Sequence, residues 1–340
     1  MIVRPVRESD LPALLSLAKS TGSGLTTLPA NEVRLGHRVN WAIKTFRGEA
    51  EPADADYLFV MEGDGGEVVG ICAIAAAIGM REPWYSYRVG MTVSASQELG
   101  IHKRNPTLFL ANDLSGHSEL CSLFLHADHR VGLNGRLLSK ARFLFLAEFS
   151  ELFGEKIIAE MRGVSDKDGR SPFWENLGRR FFQMEFDRAD YLTGLGNKAF
   201  IAELMPRFPV YTCFLSEEAR SVIGRVHPNT EPALAMLKKE GFSYQGYVDI
   251  FDGGATIEAT TQSIRAVADS QVLVLAVGTP GDQTEPFLIH NRQCEKARIT
   301  AAPARVAAGS LIVNQQTADR LQLKPGASVR AVPLNPPKRS

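Results

Sequence analysis

The sequence predicts a mixed α/β protein of the α+β kind, a mainly antiparallel sheet flanked by helices, followed by a small β-rich module at the carboxyl end. Three observations predict it. Apolar periodicity over the first 161 residues alternates between the two periods in the order β-α-α-β-β-β-α-β. The Glu62-Gly63-Asp64-Gly65-Gly66 segment carries Asp-Gly and Gly-Gly steps between two β-like runs, a hairpin signal that makes those neighbours antiparallel. From about Thr261 the texture changes to short β-rich runs separated by turns.

Met1 to Arg4 reads as a short strand, and Ser9-Asp10 caps a helix whose Leu11, Leu14, Leu15, Leu17 and Ala18 share one stripe before Thr21-Gly22 ends it. The polar, glycine-bearing loop Ser23 to Pro29 either lines a ligand cleft or simply connects to a helical pattern from Val33 to Phe46. Tyr57 to Met61 and Val68 to Ala77 are the hairpin strands, and Arg81 to Gly116 reads as loop-rich. The strand around Leu123-Phe124-Leu125 then stops at a polar turn that opens a long amphipathic helix, and Lys156 to Met161 is the next strand. Ser171 to Gly178 reads as a short helix with proline just inside its start and glycine past its end. Asn229 to Phe242 repeats that grammar with Pro232 and Gly241. Aromatic, strand-like sequence follows each, Phe181 to Met184 and Tyr244 to Val248, so a duplicated half or an extended sheet is expected. The tail offers strands at Gln271 to Val277, Ser310 to Val313 and Ser328 to Val332, a helix at Ala318 to Leu321, and a Lys324-Pro325-Gly326 turn. The expected division is therefore 1–165, 166–260 and 261–340.

Composition narrows the function class. Of 340 residues 44% are hydrophobic and 22% charged, and 38 lysines and arginines balance 38 aspartates and glutamates, so no net field draws the chain to nucleic acid or an anionic membrane. Cys72, Cys121, Cys213 and Cys294 are far apart and never in a CxxC pair, which argues for buried reduced thiols in a cytoplasmic protein and against zinc or a disulfide framework. The amino terminus lacks the apolar core of a signal peptide, and no apolar stretch reaches the ~18 residues a membrane span needs. No metal is expected.

The chemistry is concentrated where the Leu125 strand ends. The amides of Gly132, Asn134 and Gly135 face an anion as the next helix begins, and Arg130 and Arg136 bracket the turn with guanidinium groups suited to phosphate, although Arg136 also suits a solvated helix face. A phosphorylated ligand is the natural occupant. His129-Arg130-Val131-Gly132-Leu133-Asn134 resembles the pyrophosphate turn of the GNAT superfamily of N-acetyltransferases, with histidine first and asparagine in the last glycine place. The longer strings GRLLSKARFLFLAEF, AEMRGVSDKDGRSPFWENLGRRFF, GNKAFIAELMPRFPVYTCFLSEEA and IGRVHPNTEPALAMLKKEGFSYQGYVDIFDGG resemble the arginine N-succinyltransferase family, most strongly between Leu123 and Gly254.

That resemblance implies a GNAT-like fold and transfer of succinyl from succinyl-CoA to the α-amino group of L-arginine, with L-ornithine a further acceptor in some relatives. It implies His227 as proton donor and Leu125 as a succinyl-CoA contact through its backbone or by packing on the pantetheine arm. Histidine titrates near neutrality and suits a thiolate leaving group, while His126 and His129 flank the turn as polar neighbours. Glu160 and Arg162 carry both signs that an arginine acceptor needs, yet two-residue alternation also lets them pair with each other. Asp249 and Asp252 are further acceptor candidates, Asp252 equally a turn residue, and Phe173 and Trp174 read as core. Cys121 in its apolar strand lacks a matched histidine for a ping-pong route. The rival readings are a non-catalytic subunit beside a paralogous partner and an N-acyltransferase for another basic amino acid. A homo- or hetero-oligomer is expected.

Overall fold

The computed structural model describes residues 1–20, 28–194, 199–279, 281 and 284–335. The Ser23 to Pro29 loop therefore lies, up to residue 27, outside the described residues, as does the end of the first helix at Thr21-Gly22. In chain order the amino-terminal half holds β1 (Ile2–Pro5), α1 (Leu11–Ser20), α2 (Glu32–Phe46), β2 (Asp56–Glu62), β3 (Val68–Ala75), β4 (Ser86–Ser96), β5 (Ile101–Ala111), β6 (Ser118–Leu125), α3 (Asn134–Glu148) and β7 (Lys156–Glu160). The middle holds α4 (Pro172–Asn176), α5 (Gly178–Phe182), α6 (Phe186–Gly194), α7 (Ala199–Leu204), β8 (Val210–Tyr211), α8 (Glu217–Val222), α9 (Glu231–Lys239), β9 (Ser243–Val248), β10 (Ala255–Thr260) and α10 (Arg265–Ala268). The tail adds β11 (Gln271–Val277), β12 (Glu285–His290), β13 (Ile299–Ala307), β14 (Ser310–Val313), α11 (Gln315–Leu321) and β15 (Ser328–Pro333).

The central sheet runs β1-β2-β3-β6-β7-β10-β9-β4-β5-β8, antiparallel at every step except β6 beside β7. Strand alternation divides its side chains between two layers. Leu58, Val60, Ile71 and Ala73 meet Leu14, Leu17, Leu35 and Val39 of α1 and α2 on one face. Phe59, Met61, Cys72 and Ile74 meet Leu137, Leu138, Phe145 and the rest of α3 on the other. At the tail β12-β15-β11-β14-β13 closes on itself through β12–β13, and a Val3 to Ile299 pairing hangs this five-stranded barrel on β1.

Four expectations are corrected. Residues Arg81 to Gly116 are not loop-rich: they hold the long hairpin β4–β5, paired residue for residue from Ser86↔Ala111 to Ser96↔Ile101. Its outer half leaves Met91, Val93, Leu99 and Ile101 exposed, so it lacked the burial pattern by which a strand is recognised. Phe181 to Met184 is not a strand, because Phe182 ends α5 stacked on Trp174 at 5.3 Å and Gln183 closes the helix in the left-handed region. The strand half of the internal echo is therefore missing, whereas Asn229 to Phe242 does form α9 and leads into β9. Helix α3 is not amphipathic, for Leu137 through Leu146 are all buried between sheet and barrel. Cys213 is exposed rather than buried, although all four thiols are free.

Candidate functional site

The one parallel junction in the central sheet is also where it opens. Strands β6 and β7 pair only at Ser118↔Ile157 and Glu119↔Ile158. Beyond Glu119, β6 continues to Leu125 with β3 as its partner, and β7 continues to Glu160 with β10 as its partner. The two carboxyl-terminal ends thus border a common gap, and each strand turns every second N–H and C=O toward it. A parallel pair of this kind presents its strand ends and the loops after them on one side of the sheet, where ligands bind in α/β proteins.

Leu125 ends the β6 margin as a buried residue. Its carbonyl accepts a 2.9 Å hydrogen bond from Arg130 Nε, and the Arg130 guanidinium lies 5.8 Å from the Phe124 ring centre. The side chain is thereby aimed along the turn, with its two outer nitrogens making no other protein bond among the described residues. Gly132 sits at φ +57°, a conformation that favours glycine, and open space surrounds the Cβ position of both Gly132 and Gly135. Helix α3 starts without a side-chain cap, which leaves the amides of Gly135 and Arg136 in its first turn available to an anion. Asn134 departs from expectation: its N–H is engaged by Val131 O at 3.2 Å and its Nδ2 donates to His129 O at 3.0 Å, so it closes the turn instead of lining it. Arg136 points to the tail, donating to Asn335 Oδ1 at 3.0 Å.

On the β7 margin, Met161 N–H still bonds Ala255 O, and Arg162 O accepts the His227 N–H at 2.8 Å. His227 begins the turn into α9, half-buried, with Pro228 fixing the chain direction after it. Its Nδ1 accepts the Asn229 N–H at 3.1 Å, which assigns the proton of the neutral ring to Nε2. Burial, with the positive charge of Arg162 adding to it, holds the imidazole below its ordinary value. Arg162 donates to Ser165 Oγ at 3.2 Å and, with Glu160, is half-buried where β7 ends.

Asp249 and Asp252 belong to the frame. Asp252 accepts from Gly163 N–H at 2.6 Å and Gly254 N–H at 2.8 Å, while Asp249 accepts from Phe251 and Asp252 N–H, so both carboxylates shape the turn that clamps β7 to β10. Burial, then the charge of Asp249, pushes Asp252 well above the usual carboxylate range. Phe173 and Trp174 are core. Burial pushes the Cys121 thiol up to about 12, leaving it protonated and poorly nucleophilic. Sequence reasoning missed Ser122 and the two arginines that reach β6 from opposite faces, Arg38 at Ser122 Oγ and Arg142 at the Cys121 carbonyl; an arginine inside the apolar α3 run was the available signal. Among the described residues no group of three or more His, Cys, Asp or Glu is placed to hold a metal, and no helix is long and apolar enough to cross a membrane.

A glycine-bearing turn with Arg130 on one margin of the gap and a half-buried histidine on the other suit transfer of an acyl group from a phosphorylated carrier, and the chain is an α/β acyltransferase. Comparison makes the assignment particular. Residues 1–266 match the family model of the arginine N-succinyltransferase beta subunit, and residues 270–333 match that of its C-terminal domain. The chain is 76% identical to the arginine N-succinyltransferase subunit beta of Pseudomonas aeruginosa, with 100% of both chains covered. It is 51% identical to arginine N-succinyltransferase of Escherichia coli strain 55989, covering 98% of each. Its structure superposes on subunit AI of the Pseudomonas aeruginosa arginine/ornithine succinyltransferase with a TM-score of 0.90 at 34% identity, covering 98% of this chain and 99% of that one. The chain belongs to the arginine N-succinyltransferase family.

Proposed function

We propose that this chain transfers succinyl from succinyl-CoA to the α-amino group of L-arginine, with L-ornithine as a further acceptor, by direct attack in the gap between β6 and β7. The observation that carries the reading is the coincidence of two margins: Leu125 and the Arg130 to Gly135 turn end β6, while His227 is bonded through its own N–H to the end of β7. Arg130 and the amides of Gly132 and Gly135 receive the coenzyme phosphates, and the edge of β6 ending at Leu125 receives the pantetheine amides.

The neutral amine attacks the thioester carbon, forming the C–N bond and placing negative charge on the carbonyl oxygen, which a backbone N–H of the β6 edge stabilises. As the C–S bond breaks, the proton shed by the nitrogen that attacked passes to the leaving sulfur, and His227 Nε2–H hydrogen-bonds that sulfur as its charge develops. Glu160 and Arg162 meet the guanidinium and carboxylate of the acceptor. A neutral imidazole suits this role because its Nε2–H is a fixed donor while Nδ1 is held by the Asn229 N–H.

Two of the named relatives, both from Pseudomonas aeruginosa, are subunits, and we propose that this chain also assembles, with its own copies or with a paralogous chain, in the cytoplasm, where its four free cysteines stay reduced. The test is thiol release from succinyl-CoA with L-arginine, L-ornithine or no acceptor, with the product mass measured. Arginine-dependent release with a succinylated product is expected; tight succinyl-CoA binding without release defeats the reading and favours a non-catalytic subunit.

A further inference from the structure

Strand β6 does not reach the gap as a regular strand. Its register against β3 slips between Ile71↔Phe124 and Ala73↔Cys121, and Ser122, buried there, lies at φ +53°. An L-residue in this region is strained and persists only where its surroundings impose it. The extra residue re-phases everything after it. Cys121 and Phe124, three positions apart, both pack on the α1/α2 face, whereas Leu120, Leu123 and Leu125 pack on the α3 face. Without the bulge Leu125 would turn to the opposite layer.

Two arginines reach this bulge from opposite sides of the sheet. From α2, Arg38 Nη1 donates to Ser122 Oγ at 2.8 Å, while its Nε and Nη2 grip Asp56 at 2.6 and 3.2 Å. From α3, the fully buried Arg142 places Nη1 at 3.4 Å from both Cys121 O and Ala73 O, the carbonyls beside the slipped register. Its Nε and Nη2 are fixed on Ser139 of its own helix, at 3.1 and 3.3 Å. A buried guanidinium is costly to place, and here its donors serve carbonyls around the irregular part of the ladder.

We propose that Arg38 and Arg142 are positioning residues for acyl transfer: held on opposite faces of the sheet, they fix the Ser122 bulge in the shape that aims the free edge of β6 at the thioester. The inference rests on the succinyl-transfer reading above. Neither arginine touches substrate. Arg38 acts through Ser122 Oγ, and Arg142 through the Cys121 carbonyl; a bulge that relaxes misplaces the backbone donor by a fraction of an ångström, and misplacement of this order lowers turnover more than binding.

The experiment measures kcat and the KM for succinyl-CoA at saturating L-arginine, with melting temperature alongside, for the intact chain, Ser122→Ala, Ser122→Gly, Arg38→Lys, Arg142→Lys and the double variant Arg38→Lys/Ser122→Ala. Glycine accepts the positive φ without strain, so Ser122→Gly separates loss of the clamp from loss of the fold if the alanine variant unfolds. Expected is a kcat reduced about tenfold or more in each single variant at 25 °C, a KM within about twofold, and a double variant no slower than its slower parent, since both changes remove one bond. Unchanged kcat in Ser122→Gly and Arg38→Lys, a rise in KM alone, or additive losses would overturn the clamp while the wild-type enzyme remains active. A wild type that releases no thiol removes the acyl-transfer reading and the clamp together.

Discussion

Removing Glu240 should destabilise the chain more than any surface charge. Its carboxylate is fully buried and accepts from Lys140 Nζ at 2.8 Å, Arg265 Nη2 at 2.6 Å and Ala266 N–H at 2.9 Å. These donors lie on α3 and α10, and the same two cations hold the end of the barrel, Lys140 at Leu334 O and Arg265 at Pro333 O, both 2.7 Å. Glu240→Ala leaves a buried lysine and a partly buried arginine that repel one another and an amide without an acceptor. Breaking a buried pair from one side costs about 3–5 kcal/mol. With a urea m-value near 3 kcal/mol/M, the upper end for ordinary domains, the midpoint should fall by about 1 to 1.7 M. The comparison is Lys156→Ala, which loses a half-exposed partner of Glu258 at 2.9 Å and should cost under about 1 kcal/mol. The assay is urea unfolding by tryptophan fluorescence and far-ultraviolet circular dichroism, with coincident transitions required. Equal midpoint shifts in the two variants would refute the reasoning.

Two further outcomes concern the site. Because burial and then Arg162 lower the His227 pKa, the neutral ring persists below the ordinary value of about 6.5. The acid limb of kcat/KM for succinyl-CoA should therefore have its midpoint below that value and move upward in Arg162→Met; a limb that stays in place or moves down contradicts the assignment. A Cys121 thiol pushed up to about 12 is not a nucleophile near neutrality, so Cys121→Ala should retain turnover within about threefold, and succinyl-CoA without acceptor should give no burst of thiol. One equivalent of rapid release per chain would establish a covalent route instead.

What the sequence revealed, and what it hid, follows from where each signal resides. The β2–β3 hairpin, the β6-turn-α3 segment and α9 were legible because glycine steps, caps and apolar periods are local. The β4–β5 hairpin was hidden because its outer half is exposed on both strands, so its alternation never resolves into core and solvent faces. Strands β12 and β13 carry Pro286 and Pro303, residues that argue against a strand, yet the two face each other in register within the barrel. The aromatic run at Phe181 has strand propensity, but stacking on Trp174 overrides it. In the site, Gly132 and the α3 start were readable from composition. The Arg38 to Ser122 bond spans 84 positions and left no local trace. Asn134 was readable as a turn residue, but only the structure places its N–H on Val131 O.

The most direct measurement is acceptor-dependent thiol release by the purified chain beside His227→Ala, with succinyl-CoA affinity measured on both. Direct transfer assisted by His227 predicts arginine-dependent release that falls about 100-fold or more in the variant while succinyl-CoA binds equally well; turnover that survives the substitution would contradict it.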